Sequence, residues 1–125
     1  MAFLNSARAV LFTAPYWVLT GGLPGAAVAA PFGFMDWTAI PRGTRARRIG
    51  ALHGGGNTIV SLLFLAAWLL REPRSVPPLN SLVCAWLAVA GALVTAWLGG
   101  ELVCRLGVGV DEDAGLDAPR SVGRS

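Results

Sequence analysis

Gly50-Ala51-Leu52-His53-Gly54-Gly55-Gly56-Asn57-Thr58-Ile59-Val60-Ser61-Leu62-Leu63-Phe64-Leu65-Ala66-Ala67-Trp68-Leu69-Leu70 contains no formal charge, and Arg48 and Arg71 bound the apolar run around it. A helix needs about 20 predominantly apolar residues to cross the hydrocarbon core of a bilayer. This stretch meets that length. Two others do so as well, one between Arg8 and Asp36 and one between Arg74 and Glu101. A small soluble domain has too little interior to bury three helices that are apolar all round. The fold class is therefore all-α: an integral membrane helical bundle with three transmembrane helices at about residues 12–35, 50–70 and 79–103.

Composition agrees with that reading. Of 125 residues, 54% are hydrophobic and 14% charged, against roughly a quarter charged in soluble domains. The net charge of +3 arises mostly in one loop. No aromatic residues alternate with basic ones on a polar face, which sets nucleic-acid binding aside. Met1 to Ser6 lack the basic segment, short apolar core and small-residue cleavage site of a signal peptide, so the first run reads as a retained helix. Residues 1–110 form one transmembrane domain. The stretch 111–125, with Asp111, Glu112, Asp113 and Asp117 among Gly, Ser and Pro, reads as a solvated, disordered tail.

The first run is interrupted by Pro15, by Gly21, Gly22, Pro24 and Gly25, and by Pro31, which predicts a kink near Pro24. Ile40-Pro41-Arg42-Gly43-Thr44 reads as a turn. The third run follows Pro77 and Pro78, with Asn80 or Ser81 available to cap it. Cys84 and Cys104 would stand about 30 Å apart on one straight helix, too far for a disulfide. Trp17, Trp37 and Trp97 fall near span ends, as in aromatic belts, whereas Trp68 and Trp86 read as packed or lipid-facing.

Arginine asymmetry sets the expected orientation. Arg42, Arg45, Arg47 and Arg48 lie in or beside the first loop, and Arg105 falls on the same side; Arg8, Arg71 and Arg74 face them. The excess places loop 37–49 and the carboxyl terminus in the cytoplasm, in a multi-pass protein of the cell membrane.

Polar groups within a bilayer are costly and are candidates for function. His53, the single histidine, Asn57 and Ser61 recur every four residues and form one stripe on the second helix. The expected topology brings Asp36, His53, Glu101 and Arg105 to the cytoplasmic interface at similar depth, with Asn57 one turn inward. Asp36 or Glu101 would then accept a hydrogen bond from the imidazole, and Glu101 and Arg105 form an i,i+4 pair. Gly91, Thr95 and Gly99 form a small-residue line on the third helix, which reads as a helix-packing surface.

Several segments together carry a resemblance. They are Phe34-Met35-Asp36-Trp37, Ile40 to Arg47, the H-x-x-x-N of His53 and Asn57, Trp97 to Val103, and Gly107-Val108-Gly109-Val110. The chain up to Val110 resembles a bacterial family of multi-pass membrane proteins, the domain of unknown function twenty-two thirty-one. The resemblance implies a four-helix membrane module, here lacking the family's first helix with its His-Pro. It also implies a redox setting, since some members are joined to Rieske-type iron–sulfur domains. Where many members have an aromatic residue and a histidine, this chain has Cys104 and Leu106, and no Rieske ligand pairs follow.

Three function classes remain open at this stage. One is a structural or accessory module of a membrane complex, in a redox setting, in contact with the bilayer and with a missing helix, a second copy or a redox partner protein. The second is a haem- or quinone-linked electron carrier with His53 as the ligand and Met35 as the available second one. The third is a small transporter or proton path using Asp36, His53 and Glu101. The sequence contains no nucleophile–base pair, phosphate loop or metal motif of the kind an enzyme needs.

Overall fold

The computed structural model describes residues 2–73 and 75–110, with backbone alone at 2–9, 11 and 12. Arg74, the side chain of Arg8 and the expected disordered tail 111–125 lie outside the described residues. Three helices account for nearly all of the rest: α1 (Ala2–Ala39), α2 (Arg45–Leu69) and α3 (Leu79–Gly100). The last continues into a π-helical turn, Glu101–Arg105. Thr13–Ala39, Arg45–Leu69 and Leu79–Arg105 are each long and apolar enough to span a membrane.

Helix α1 extends past both boundaries expected from hydropathy and α2 starts before its own, because hydrogen bonding and not apolarity ends a helix. Helix α2 ends and α3 begins within one residue of expectation. Thr44 caps α2: its backbone is extended, and its side-chain oxygen accepts from the Arg47 N–H at 3.2 Å. That cap starts α2 five residues before Gly50 and shortens the connection to residues 40–44. Gly43, at φ +83°, supplies the left-handed residue of this turn. Helix α1 runs without interruption through Pro15, Pro24 and Pro31. The helix continues through Pro24, although each proline withholds one backbone donor. At the start of α3 the residue outside the helix is Pro78, which offers no side-chain cap. Asn80 takes over part of that work, its Oδ1 accepting the Ser81 N–H at 2.8 Å.

Helix α2 is the centre of the bundle. It packs along α3 and more lightly along α1, and among the described residues α1 and α3 make no close backbone approach. Small residues make the α2–α3 approach close. A Cβ on Gly91 would lie 2.9 Å from Val60, one on Gly56 would lie 2.6 Å from Thr95 Cγ2, and one on Gly99 would lie 3.0 Å from His53 Cε1. The buried residues Val60, Ala67, Ser81, Ala88 and Thr95 belong to these two helices. Large apolar side chains such as Phe32, Ile59, Trp86 and Leu93 point outward. This inversion suits lipid, where apolar residues gain nothing by facing inward and close backbone packing holds helices together. Cys84 and Cys104 are both free thiols.

Candidate functional site

His53 lies two turns inside α2 and bridges to α3. Its Nδ1 is 2.8 Å from the Thr95 carbonyl oxygen. A carbonyl has no proton to give, so the ring donates this bond and Nδ1 carries the hydrogen. Nε2 then accepts, and Asn57 Nδ2 donates to it at 3.1 Å. The i,i+4 spacing of the two residues on α2 places the amide directly along the helix from the ring. Gly99 supplies the room, since its missing side chain leaves space for the imidazole edge. The sequence stripe thus becomes a relay from Asn57 through His53 to the backbone of α3. Ser61, the third member of the stripe, makes no hydrogen bond among the described residues.

The carboxylates stand elsewhere. Glu101 is nearly enclosed, its side chain 9% exposed, and Arg45 Nη2 reaches its Oε1 at 2.6 Å. Arg105 Nη1 lies 3.6 Å from the same oxygen. Glu101 therefore ties the π-helical turn to the first turn of α2, and the imidazole takes a backbone carbonyl in place of either expected carboxylate. Asp36 is exposed near the end of α1 and has no hydrogen-bonding or ionic partner among the described residues. Asp36, His53 and Gly99 nevertheless line one open groove of about 700 Å³, which also takes in Ile40 and the π-helical turn at Leu102 and Val103.

Three further polar connections carry no obvious motif. At the same end, Trp37 Nε1 donates to the Arg47 carbonyl at 3.0 Å. The Arg47 guanidinium in return lies 4.4 Å from the centre of the Trp37 ring and donates to the Ile40 carbonyl at 2.6 Å. This clasp closes the end of α1, whose last carbonyls have no partners within the helix. At the opposite end, Ser81 is fully buried. Its hydroxyl donates to the Ala67 carbonyl at 2.8 Å and accepts from Arg71 Nε at 3.0 Å. Trp68 stacks on Tyr16 and donates to Thr20 Oγ1 at 2.8 Å, joining α2 to α1. In the sequence Trp37 and the arginines stood out as span-end residues, Ser81 as a candidate helix cap and Trp68 as packed or lipid-facing, and none of these signals named a partner.

A histidine that ligates haem iron does so through one ring nitrogen while the other N–H is held by a carbonyl or carboxylate. The Nδ1–H on the Thr95 carbonyl fits that pattern, but the Nε2 lone pair that would face iron accepts from Asn57. Among the described residues no group of three or more His, Cys, Asp or Glu is placed to hold a metal ion. Every buried side-chain nitrogen and oxygen that the structure describes has a hydrogen-bond partner.

A family model described as predicted membrane protein, DUF2231, matches residues 1–112. The chain belongs to the DUF2231 family. That match spans all three helices and the polar residues described above. No curated protein and no solved structure matches the chain.

Proposed function

We propose that this member of the DUF2231 family is a structural or accessory module of a membrane complex, with loop 37–49 and the carboxyl terminus on the cytoplasmic side. The observation that carries the reading is the complete internal use of His53: one nitrogen holds α3 and the other is held by Asn57. A ring committed in this way works as a joint between helices. The same pattern recurs with Ser81, whose hydroxyl joins α3 to α2, and with Glu101, whose Oε1 joins the π-helical turn to α2. The accessory part of the reading is supported by α1, whose membrane-crossing window buries none of its residues within this chain. Its setting in a redox complex rests on the family resemblance.

His53→Ala tests the assignment. In detergent-purified protein the substitution is expected to lower the thermal midpoint and the folded yield while leaving the visible spectrum unchanged. A Soret band present in the wild type and lost in His53→Ala overturns the structural role in favour of a haem protein. Orientation is read separately through Cys104, which is exposed. A membrane-impermeant maleimide is expected to label it in inverted vesicles and not in intact cells.

A further inference from the structure

The groove beneath loop 40–44 has a definite polarity. Helix α2 forms its floor, while α1 and the π-helical turn form walls that do not close over it. At 1.5 Å per residue, Asp36 lies roughly 5 Å from the end of α1, and His53 lies roughly 12 Å inside the start of α2. The groove therefore runs from a carboxylate near the bilayer interface inward past His53. Ile40, Leu102, Val103 and Leu106 supply apolar wall. Among its lining residues Asp36 is the one carboxylate and there is no arginine, while both ring nitrogens of His53 are engaged, by Thr95 and Asn57.

The arginines nearby are divided in their commitments. Arg45 is paired with Glu101, and Arg47 is spent on the carbonyls of Thr38 and Ile40. Arg42 follows Pro41, which lines the groove, and its guanidinium has no partner among the described residues. Among the described residues the mouth thus presents one unpartnered carboxylate in the groove, Asp36, and one unpartnered cation on the adjoining loop, Arg42, beside a partly apolar wall. Arg48, also exposed and unpartnered among the described residues, belongs to α2 and does not line the groove.

We infer that this groove binds an aminophospholipid of the phosphatidylethanolamine type. Its primary ammonium is held by Asp36, its phosphate lies toward Arg42, and an acyl chain runs inward along the apolar wall. Charge complementarity selects this occupant. A purely anionic lipid would place its headgroup against the Asp36 carboxylate. A choline lipid carries a cation with no N–H to donate, so it loses the charge-assisted hydrogen bond. The inference is independent of the structural role of His53, because it uses Asp36 and Arg42, which that role does not employ.

The test is lipid retention and thermal stability of the full chain in detergent, with dioleoyl phosphatidylethanolamine, phosphatidylcholine or phosphatidylglycerol added singly. Native mass spectrometry is expected to show the ethanolamine lipid retained several-fold, on the order of threefold to tenfold, over the other two, as fits one partly solvated charge contact. The same lipid is expected to raise the thermal midpoint. Asp36→Asn, at an exposed and unpartnered position, is expected to keep the lipid-free midpoint and lose both effects. Arg42→Gln is expected to weaken retention, and Glu72→Gln at the other end of the bundle to leave it unchanged. Equal retention of the three lipids by the wild type overturns the proposal without any variant. Preference for phosphatidylglycerol, or ethanolamine selectivity surviving in Asp36→Asn, overturns it too.

Discussion

Three consecutive glycines, Gly54, Gly55 and Gly56, are chemically identical and are expected to respond to alanine with opposite signs. A Cβ on Gly54 or Gly55 meets nothing within 4 Å. At these two positions alanine brings its helix preference alone, a gain of up to about 1 kcal/mol. At Gly56 the new carbon would stand 2.6 Å from Thr95 Cγ2. Thr95 is 5% exposed, its Oγ1 is tied to the Ala92 carbonyl, and as a β-branched residue it has little rotameric freedom within a helix. The helices must therefore part, at an overpacking cost of roughly 1–3 kcal/mol. Propensity cancels in the comparison between neighbours, so Gly56→Ala should fall below Gly54→Ala by the full overpacking term, roughly 1–3 kcal/mol. The assay is loss of helical circular dichroism on titrating mixed micelles with sodium dodecyl sulfate. Thr95→Ser removes Cγ2 and keeps the hydroxyl; combined with Gly56→Ala it should recover most of the loss, giving a coupling energy of about 1 kcal/mol or more. Indistinguishable midpoints for Gly54→Ala and Gly56→Ala, or no recovery by Thr95→Ser, would refute this account of the α2–α3 seam.

Two other contacts can be weighed by the same assay. Ser81→Ala removes the one hydroxyl that both holds the Ala67 carbonyl and receives Arg71; a loss of about 1–3 kcal/mol is expected, since Arg71 is left without that acceptor. A midpoint equal to that of the wild type would mean that the far end of the bundle is held by packing alone. Trp37→Phe keeps a ring under the Arg47 guanidinium but deletes the Nε1 donor, and is expected to cost about 0.5–1.5 kcal/mol. Trp37→Ala should cost more, because it also removes the stacked face. Equal midpoints for the two variants would remove the ring from the explanation.

The membrane fold was legible because length and apolarity form a signal along the chain itself. Three uncharged runs of spanning length leave few alternatives, and the structure places a helix over each. The helix ends were not legible from the same signal. Thr44 starts α2 at Arg45 with a hydrogen bond, and basic residues at an interface tolerate helix as well as loop. The His53–Asn57 pair was visible because a four-residue period marks one face of a helix. Its partner on α3 was not, since a backbone carbonyl such as that of Thr95 has no residue type to announce it. Depth in the membrane alone puts Asp36 and Glu101 level with the ring. Depth leaves rotation about each helix axis undetermined. Rotation turned Glu101 toward Arg45 and left Asp36 on a helix that does not reach α3.

The glycines and the polar bonds of the α2–α3 seam are two aspects of one arrangement. Lipid tails are as apolar as leucine, so burying large side chains between helices provides little drive for association. Close approach and interhelical hydrogen bonds must supply it, and each requires the other. The His53 ring reaches the Thr95 carbonyl because Gly99 leaves space beside it, and Thr95 itself fits because it faces Gly56. One helical turn on, Val60 seats against Gly91 in the same manner. A bulky residue at Gly99 therefore does more than collide with a ring. It displaces the donor from Thr95, and the freed imidazole N–H then stands in a low-dielectric seam without an acceptor, where an unmade hydrogen bond costs more than a made one contributes. That asymmetry favours the register in which both ring nitrogens of His53 are bonded.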